Sequence, residues 1–138
     1  MLEYLEKKKT LLVYLPLGVY WLVLFILTSM PSANLPKSFE FNDKMEHTSA
    51  FAVLGMLLSL AISVQNSSKY FKSRAWLGSL IIGATYGAFD ELHQLFVVGR
   101  SCDFFDWMAD ITGTSVGIII TYAIIKISAR KSNLEIAS

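Results

Sequence analysis

The chain has 138 residues, with 12 Lys and Arg against 11 Asp and Glu, 54% hydrophobic and 17% charged residues, and a mean hydropathy of +0.48. Apolar content above that of an ordinary soluble domain, with charge below it, argues for a membrane protein. The near-zero net charge argues against a nucleic-acid partner, and the single cysteine, Cys102, excludes an internal disulfide. At this length there is no room for a separate soluble catalytic module, so residues 1–138 are read as one membrane domain.

A bilayer core of roughly 30 Å needs about 20 apolar residues per helix. Four stretches approach that: residues 11–29, 48–64, 75–98 and 107–127. The first follows Lys7, Lys8 and Lys9 and is closed by Pro31 and Pro36. Its basic start and the small residues Ser32 and Ala33 resemble a signal peptide. An apolar run of about 18 residues is longer than the usual h-region of roughly 7 to 15, so an uncleaved helix is expected. Its Leu, Ile, Val, Phe and Trp composition places it at the periphery, facing lipid.

The second span opens with Asp43 and His47 one turn apart, carries Gly55 and Ser59 further along, and ends in the polar run from Gln65 to Lys69. The third holds Asp90, Glu91, His93 and Gln94. If it continues to Val98, Asp90 lies roughly 12 Å below its end, inside the membrane region. At 100° per residue Gly83, Gly87, Asp90, Glu91 and Gln94 fall within about one third of the circumference, and this small, polar face has to meet protein or water. The fourth span repeats the plan, with Asp106, Asp110, Gly113 and Gly117 on one stripe. Gly83 with Gly87 and Gly113 with Gly117 are two G-x-x-x-G pairs, which leave homo-oligomerisation through those faces open.

Basic residues divide unevenly. Lys7, Lys8, Lys9, Lys69, Lys72, Arg74, Lys126, Arg130 and Lys131 lie on one side of the four spans, and Lys37, Lys44 and Arg100 on the other. The positive-inside rule then puts both termini in the cytoplasm. The expected fold is all-α, a four-helix transmembrane bundle with N- and C-termini inside. Acid, imidazole and amide groups from three of its helices share the outer end.

His47, His93, Asp43, Asp90, Glu91, Asp106 and Asp110 could supply a general acid and base, since crowded carboxyls raise one another's pKa and imidazole titrates near neutrality. They could equally ligate a divalent cation. No H-E-x-x-H or E-x-x-H spacing occurs, so no metal and no cofactor is expected. Plain structural roles compete at each position. Asp43 and Asp103 or Asp106 fit helix N-caps, and His93 fits a hydrogen-bonded packing residue. Glu91, Asp106 and Arg100 fit a buried ion pair, and Trp21, Trp76 and Trp107 fit interfacial anchors.

Asp43-Lys44-x-x-His47, then Asp90-Glu91-Leu-His-Gln94, then Gly99-Arg100, then Asp106-x-x-x-Asp110-x-x-Gly113 together resemble the VanZ-like family of small bacterial membrane proteins. The family pattern reads D-K-x-x-H, E-x-x-Q, G-R and D-x-x-x-N-x-x-G, which points to Asp43, Lys44, His47, Glu91, Gln94, Arg100, Asp106 and Gly113. Asp110 stands where the family usually has Asn, adding a carboxyl beside Asp106. The resemblance implies a multi-pass protein of the bacterial cytoplasmic membrane. For the namesake it implies low-level resistance to the glycopeptide teicoplanin, and more broadly a role in envelope or lipid physiology.

The reading that follows is a protein with an outward-facing polar pocket, working on membrane lipids, a lipid-linked envelope precursor or a glycopeptide. Asp43, Lys44, His47, Asp90, Glu91, Gln94, Arg100, Asp106 and Asp110 are its expected binding residues, with Lys44 and Arg100 on phosphate or carboxylate. A membrane-embedded hydrolase or transferase is the alternative, with His47, Glu91 and Asp106 as candidate catalytic groups. A small proton-coupled transporter using Asp90 and Glu91 is the third.

Overall fold

A computed structural model describes residues 2–34, 43–65 and 69–136, and among these there is no strand. Helix α1 (Leu2–Lys7) leads through a π-helical turn (Thr10–Tyr14) into α2 (Leu15–Thr28), and a short 3-10 turn (Ser32–Asn34) follows. Then come α3 (Asp43–Ser63), the short α4 (Lys69–Ser73), α5 (Ala75–Gln94) and α6 (Phe104–Ile136). The π turn ends two residues before Pro16, which has no N–H for the preceding turn, so the chain widens there instead of breaking.

Three stretches are long and apolar enough to cross a membrane: Thr10–Thr28, Lys44–Ser63 and Phe104–Lys131. Helix α5 has 20 residues but is not among them, and the reason is visible in its sequence. Asp90, Glu91, His93 and Gln94 crowd its last turns, and Gly78, Gly83 and Gly87 replace larger apolar residues.

Small residues let α6 press onto α3. A Cβ added at Gly113 would fall on the Thr48 carbonyl oxygen, one at Gly117 on the Ala52 carbonyl oxygen, and one at Gly55 within 2.5 Å of the Thr114 carbonyl oxygen. Backbones this close gain dispersion contacts that larger side chains would forbid. Helix α5 joins the pair along Ala75, Ser79, Gly83, Gly87, Asp90, Glu91 and Gln94, all buried. Gly83 meets the Thr114 side chain and Gly87 meets Asp110. Gly83, Gly87, Gly113 and Gly117 thus all pack against neighbours within the chain.

Helix α2 lies outside these three. Leu24 is its buried residue, packed with Phe51, Leu54 and Leu58 of α3, and the Tyr20 hydroxyl donates to the Ala50 carbonyl at 2.9 Å. Leu22, Val23, Phe25, Ile26 and Leu27 remain exposed, as a lipid-facing helix requires. Trp21 is no interfacial anchor, because it stands edge-on to Tyr86 with ring centroids 5.1 Å apart. Trp107 donates its indole N–H to the Ala84 carbonyl at 2.9 Å, tying α6 to α5.

The connections set two distinct ends. At one, α2 and α5 finish while α3 and α6 begin, joined by Ser29 with His93 and by Lys44 with Asp106. At the other, Lys72 pairs with Glu6 and the Trp76 backbone N–H donates to the Tyr122 hydroxyl.

Candidate functional site

The first of these ends is built from the start of α6. Asp103 precedes the helix and its Oδ1 accepts the Phe105 backbone N–H at 2.8 Å, while its carbonyl accepts from Asp106 and Trp107. That is an aspartate N-cap, and of the two residues offered for it, Asp103 and Asp106, Asp103 takes it. Its Oδ2 also meets Lys44 Nζ at 3.1 Å, and the same ammonium donates to Asp106 Oδ1 at 2.8 Å. The Phe105 N–H first, and the Lys44 ammonium second, hold the Asp103 carboxyl below its ordinary value of 3.8.

Deeper lies His47, one turn along α3 from Lys44. Its Nδ1 is 2.9 Å from Asp110 Oδ1 and 3.9 Å from Glu91 Oε1. Glu91 Oε2 accepts the Asp103 backbone N–H at 2.7 Å. Gln94 Nε2 donates to Asp90 Oδ2 at 3.2 Å and reaches Glu91 Oε1 at 3.5 Å. Asp90, Glu91, Gln94, Asp106 and Asp110 are each at most 4% exposed, so every charge here needs a counterpart. Five carboxyls, of Asp90, Glu91, Asp103, Asp106 and Asp110, face only Lys44 and His47 among the described cations in contact with them. Asp110 Oδ2 is buried and meets no donor.

Lys44, His47, Glu91, Asp106 and Asp110 thus converge, with Asp90 and Gln94 attached through the amide. Asp43 is the first residue of α3, and its side chain lies outside the described residues. Arg100 does not join. It forms no ion pair with Glu91 or Asp106, and its Nε is buried without a partner. The reason is that α5 stops at Gln94, which puts Asp90 one turn from the helix end instead of the roughly 12 Å a longer helix would give. The following loop turns toward the 3-10 segment. The Ser32 backbone N–H donates to the Val98 carbonyl, and Gly99, at a φ of 77°, packs against the Ser32 side chain.

Lys44 takes the ion-pairing place expected of Arg100, and being engaged by two aspartates it is not a free phosphate contact. Asp103 is the member that residue-by-residue reading left as a cap alone. The signal for it was its place immediately ahead of α6. His93 is a packing residue: it stacks on Phe25 and Phe89 and its Nε2 lies 3.0 Å from Ser29 Oγ. Since that hydroxyl donates to the Phe25 carbonyl at 2.6 Å, His93 Nε2 is the donor to it.

Beside the cluster runs an open cleft of about 290 Å³ lined by Ala88, Glu91, Leu92, Asp103, Phe104 and Trp107, and the surface it exposes is apolar. Glu91 is among the residues that line the cleft, although it is buried. His47, Glu91 and Asp106 each offer a ligand atom, all within 4.8 Å of one another. The expectation of no metal rested on ligand spacing within one helix. These three groups come from three helices, a juxtaposition that spacing cannot reveal.

A helical chain with three helices long and apolar enough to cross a membrane, and a buried acid-rich cluster at one end, has the make-up of a membrane protein. The chain belongs to the VanZ/LLP1 family, whose model matches residues 8–126. No curated protein and no solved structure matches it.

Proposed function

We propose that this VanZ-family protein recognises the polar head of an envelope lipid or lipid-linked precursor at the outer end of its bundle, in the bacterial cytoplasmic membrane. In this reading all four long helices cross the bilayer, with both termini in the cytoplasm. The distribution of Lys69, Lys72, Arg74, Lys126, Arg130 and Lys131 at the end opposite the cluster supports that orientation. The observation that carries the reading is the position of Glu91, bonded within the buried polar network and directly behind the wall of the apolar cleft. An apolar cleft beside a buried carboxyl-rich network suits a lipid that lays its apolar part on the wall and brings headgroup amine or hydroxyl donors to the network. Lys44 is already paired, so donors fit this site better than a phosphate alone does.

Protection against teicoplanin is one physiological setting for such binding. The test is a panel in a glycopeptide-sensitive bacterium: wild type, His47→Ala, Glu91→Gln, Arg100→Ala and Asp106→Asn, scored for susceptibility and for membrane-inserted protein. Protection lost in His47→Ala, Glu91→Gln and Asp106→Asn at normal protein level, and kept in Arg100→Ala, is the expected result. Protection unaffected by the first three variants contradicts the reading.

One observation favours a second reading, acid–base catalysis on that headgroup. An imidazole held by Asp110, with Glu91 at 3.9 Å, needs only a closer approach of Glu91 to become a proton-transfer pair. It predicts a turnover of a lipid-linked substrate that His47→Gln abolishes while binding persists.

A further inference from the structure

We propose that His47, Glu91 and Asp106 bind a divalent transition-metal ion of the zinc or manganese type. This goes beyond the headgroup reading and does not depend on it. One imidazole and two carboxylates are a donor set that such ions accept, and a ligand atom of each already lies within 4.8 Å of the other two. Tetrahedral ligands about 2.1 Å from a metal sit roughly 3.4 Å apart, so side-chain adjustments of an ångström or so complete the arrangement.

Two independent features support an ion there. The first is His47's orienting partner. Asp110 Oδ1 lies 2.9 Å from Nδ1, a carboxylate that orients the ring as metal-binding histidines are commonly oriented. Glu91 Oε1 lies 3.9 Å from that same Nδ1, so the ion takes Nδ1 in place of the Asp110 contact or draws the carboxylates round to Nε2. The second is unmatched charge. Asp110 is fully buried and its Oδ2 has no donor, in a cluster whose carboxyls outnumber its cations. A divalent ion on His47 would neutralise that excess without a new side chain.

Lys44 is the built-in competitor, with Nζ 2.8 Å from Asp106 Oδ1. A carboxylate has two oxygens, so Asp106 can keep Lys44 on one and offer the other to the ion. The ammonium nevertheless repels a cation at this distance, which makes Lys44 an informative variant.

The experiment is a titration of the purified full chain in detergent, stripped with EDTA, with Mn²⁺ alone followed by electron paramagnetic resonance, and Zn²⁺ as competitor. Wild type is expected to bind one Mn²⁺ per chain that Zn²⁺ displaces, with spin-echo modulation from a coordinated imidazole nitrogen. His47→Ala and Glu91→Gln should weaken binding at least about tenfold, and Lys44→Met should tighten it. The nitrogen signal is read on wild type, so misfolded variants cannot obscure the answer. Absence of saturable Mn²⁺ and Zn²⁺ binding, or bound Mn²⁺ without the nitrogen signal, overturns the proposal. So does equal affinity in wild type and folded His47→Ala.

Discussion

Glu91 near the end of α5 accepts the backbone N–H of Asp103, the cap of α6, at 2.7 Å. One carboxylate thereby fixes how the third long helix passes into the fourth, while its other oxygen faces His47 and Gln94. Glu91→Gln keeps an acceptor for that N–H, whereas Glu91→Ala leaves it and Gln94 short of a partner. Denaturant unfolding in detergent should show the Ala variant less stable than the Gln variant by about 1–3 kcal/mol. Equal stabilities would mean that the bond is not holding the turn.

Lys44 is the cation of Asp103 and Asp106. Lys44→Met should lower the thermal midpoint, and adding Asp106→Asn should recover part of the loss, because the second change removes the carboxylate that the first left unpaired. Additive losses in the double variant would show that the pair is not coupled.

Glycines separate packing from mere helix content. A Cβ at Gly117 would collide with the Ala52 carbonyl, which belongs to backbone and cannot swing aside, whereas Gly18 has nothing within 4 Å. Gly117→Ala should destabilise by about 1–3 kcal/mol, and Gly18→Ala should stabilise by roughly 0.5–1 kcal/mol through helix propensity. Unfolding of the two variants side by side checks the contrast.

Acid should loosen the cap. The Asp103 carboxyl titrates below its ordinary 3.8 when folded, so its contribution is complete above the unfolded value and is lost as pH falls through the lowered folded one. Thermal unfolding from pH 5 down toward about pH 2 should therefore show a decline that is smaller in Asp103→Asn. An identical decline in both proteins would place the acid sensitivity elsewhere.

His93 and Arg100 stand apart from the cluster. His93→Phe retains stacking on Phe25 and Phe89 and loses the single bond to Ser29, so a cost of about 1 kcal/mol and no change in ligand or metal binding are expected.

Much of this was legible one helix at a time. The α5 stripe followed from 100° arithmetic on Gly83, Gly87, Asp90, Glu91 and Gln94, and all five are buried. Residue type narrowed the α6 cap to Asp103 or Asp106, and the peripheral α2 followed from its apolar run. What failed were statements that needed the path of a loop or the meeting of helices. A helix assumed to reach Val98 carried Arg100 over the site. The actual stop at Gln94 leaves that place to Lys44, whose distance in sequence from Asp106 gives no sign of contact. The His47, Glu91 and Asp106 grouping was hidden for the same reason, since each lies on a different helix.

The central claim is that the network around Glu91 holds a lipid headgroup, and direct binding tests it best. Wild type and Glu91→Gln, matched for folding, would be released from nanodiscs of bacterial envelope lipid and weighed intact by mass spectrometry. Retention of a defined lipid or lipid-linked precursor by wild type, and its loss in Glu91→Gln, is the predicted outcome. The same lipid retained equally by both proteins, or no lipid retained by either, would contradict it.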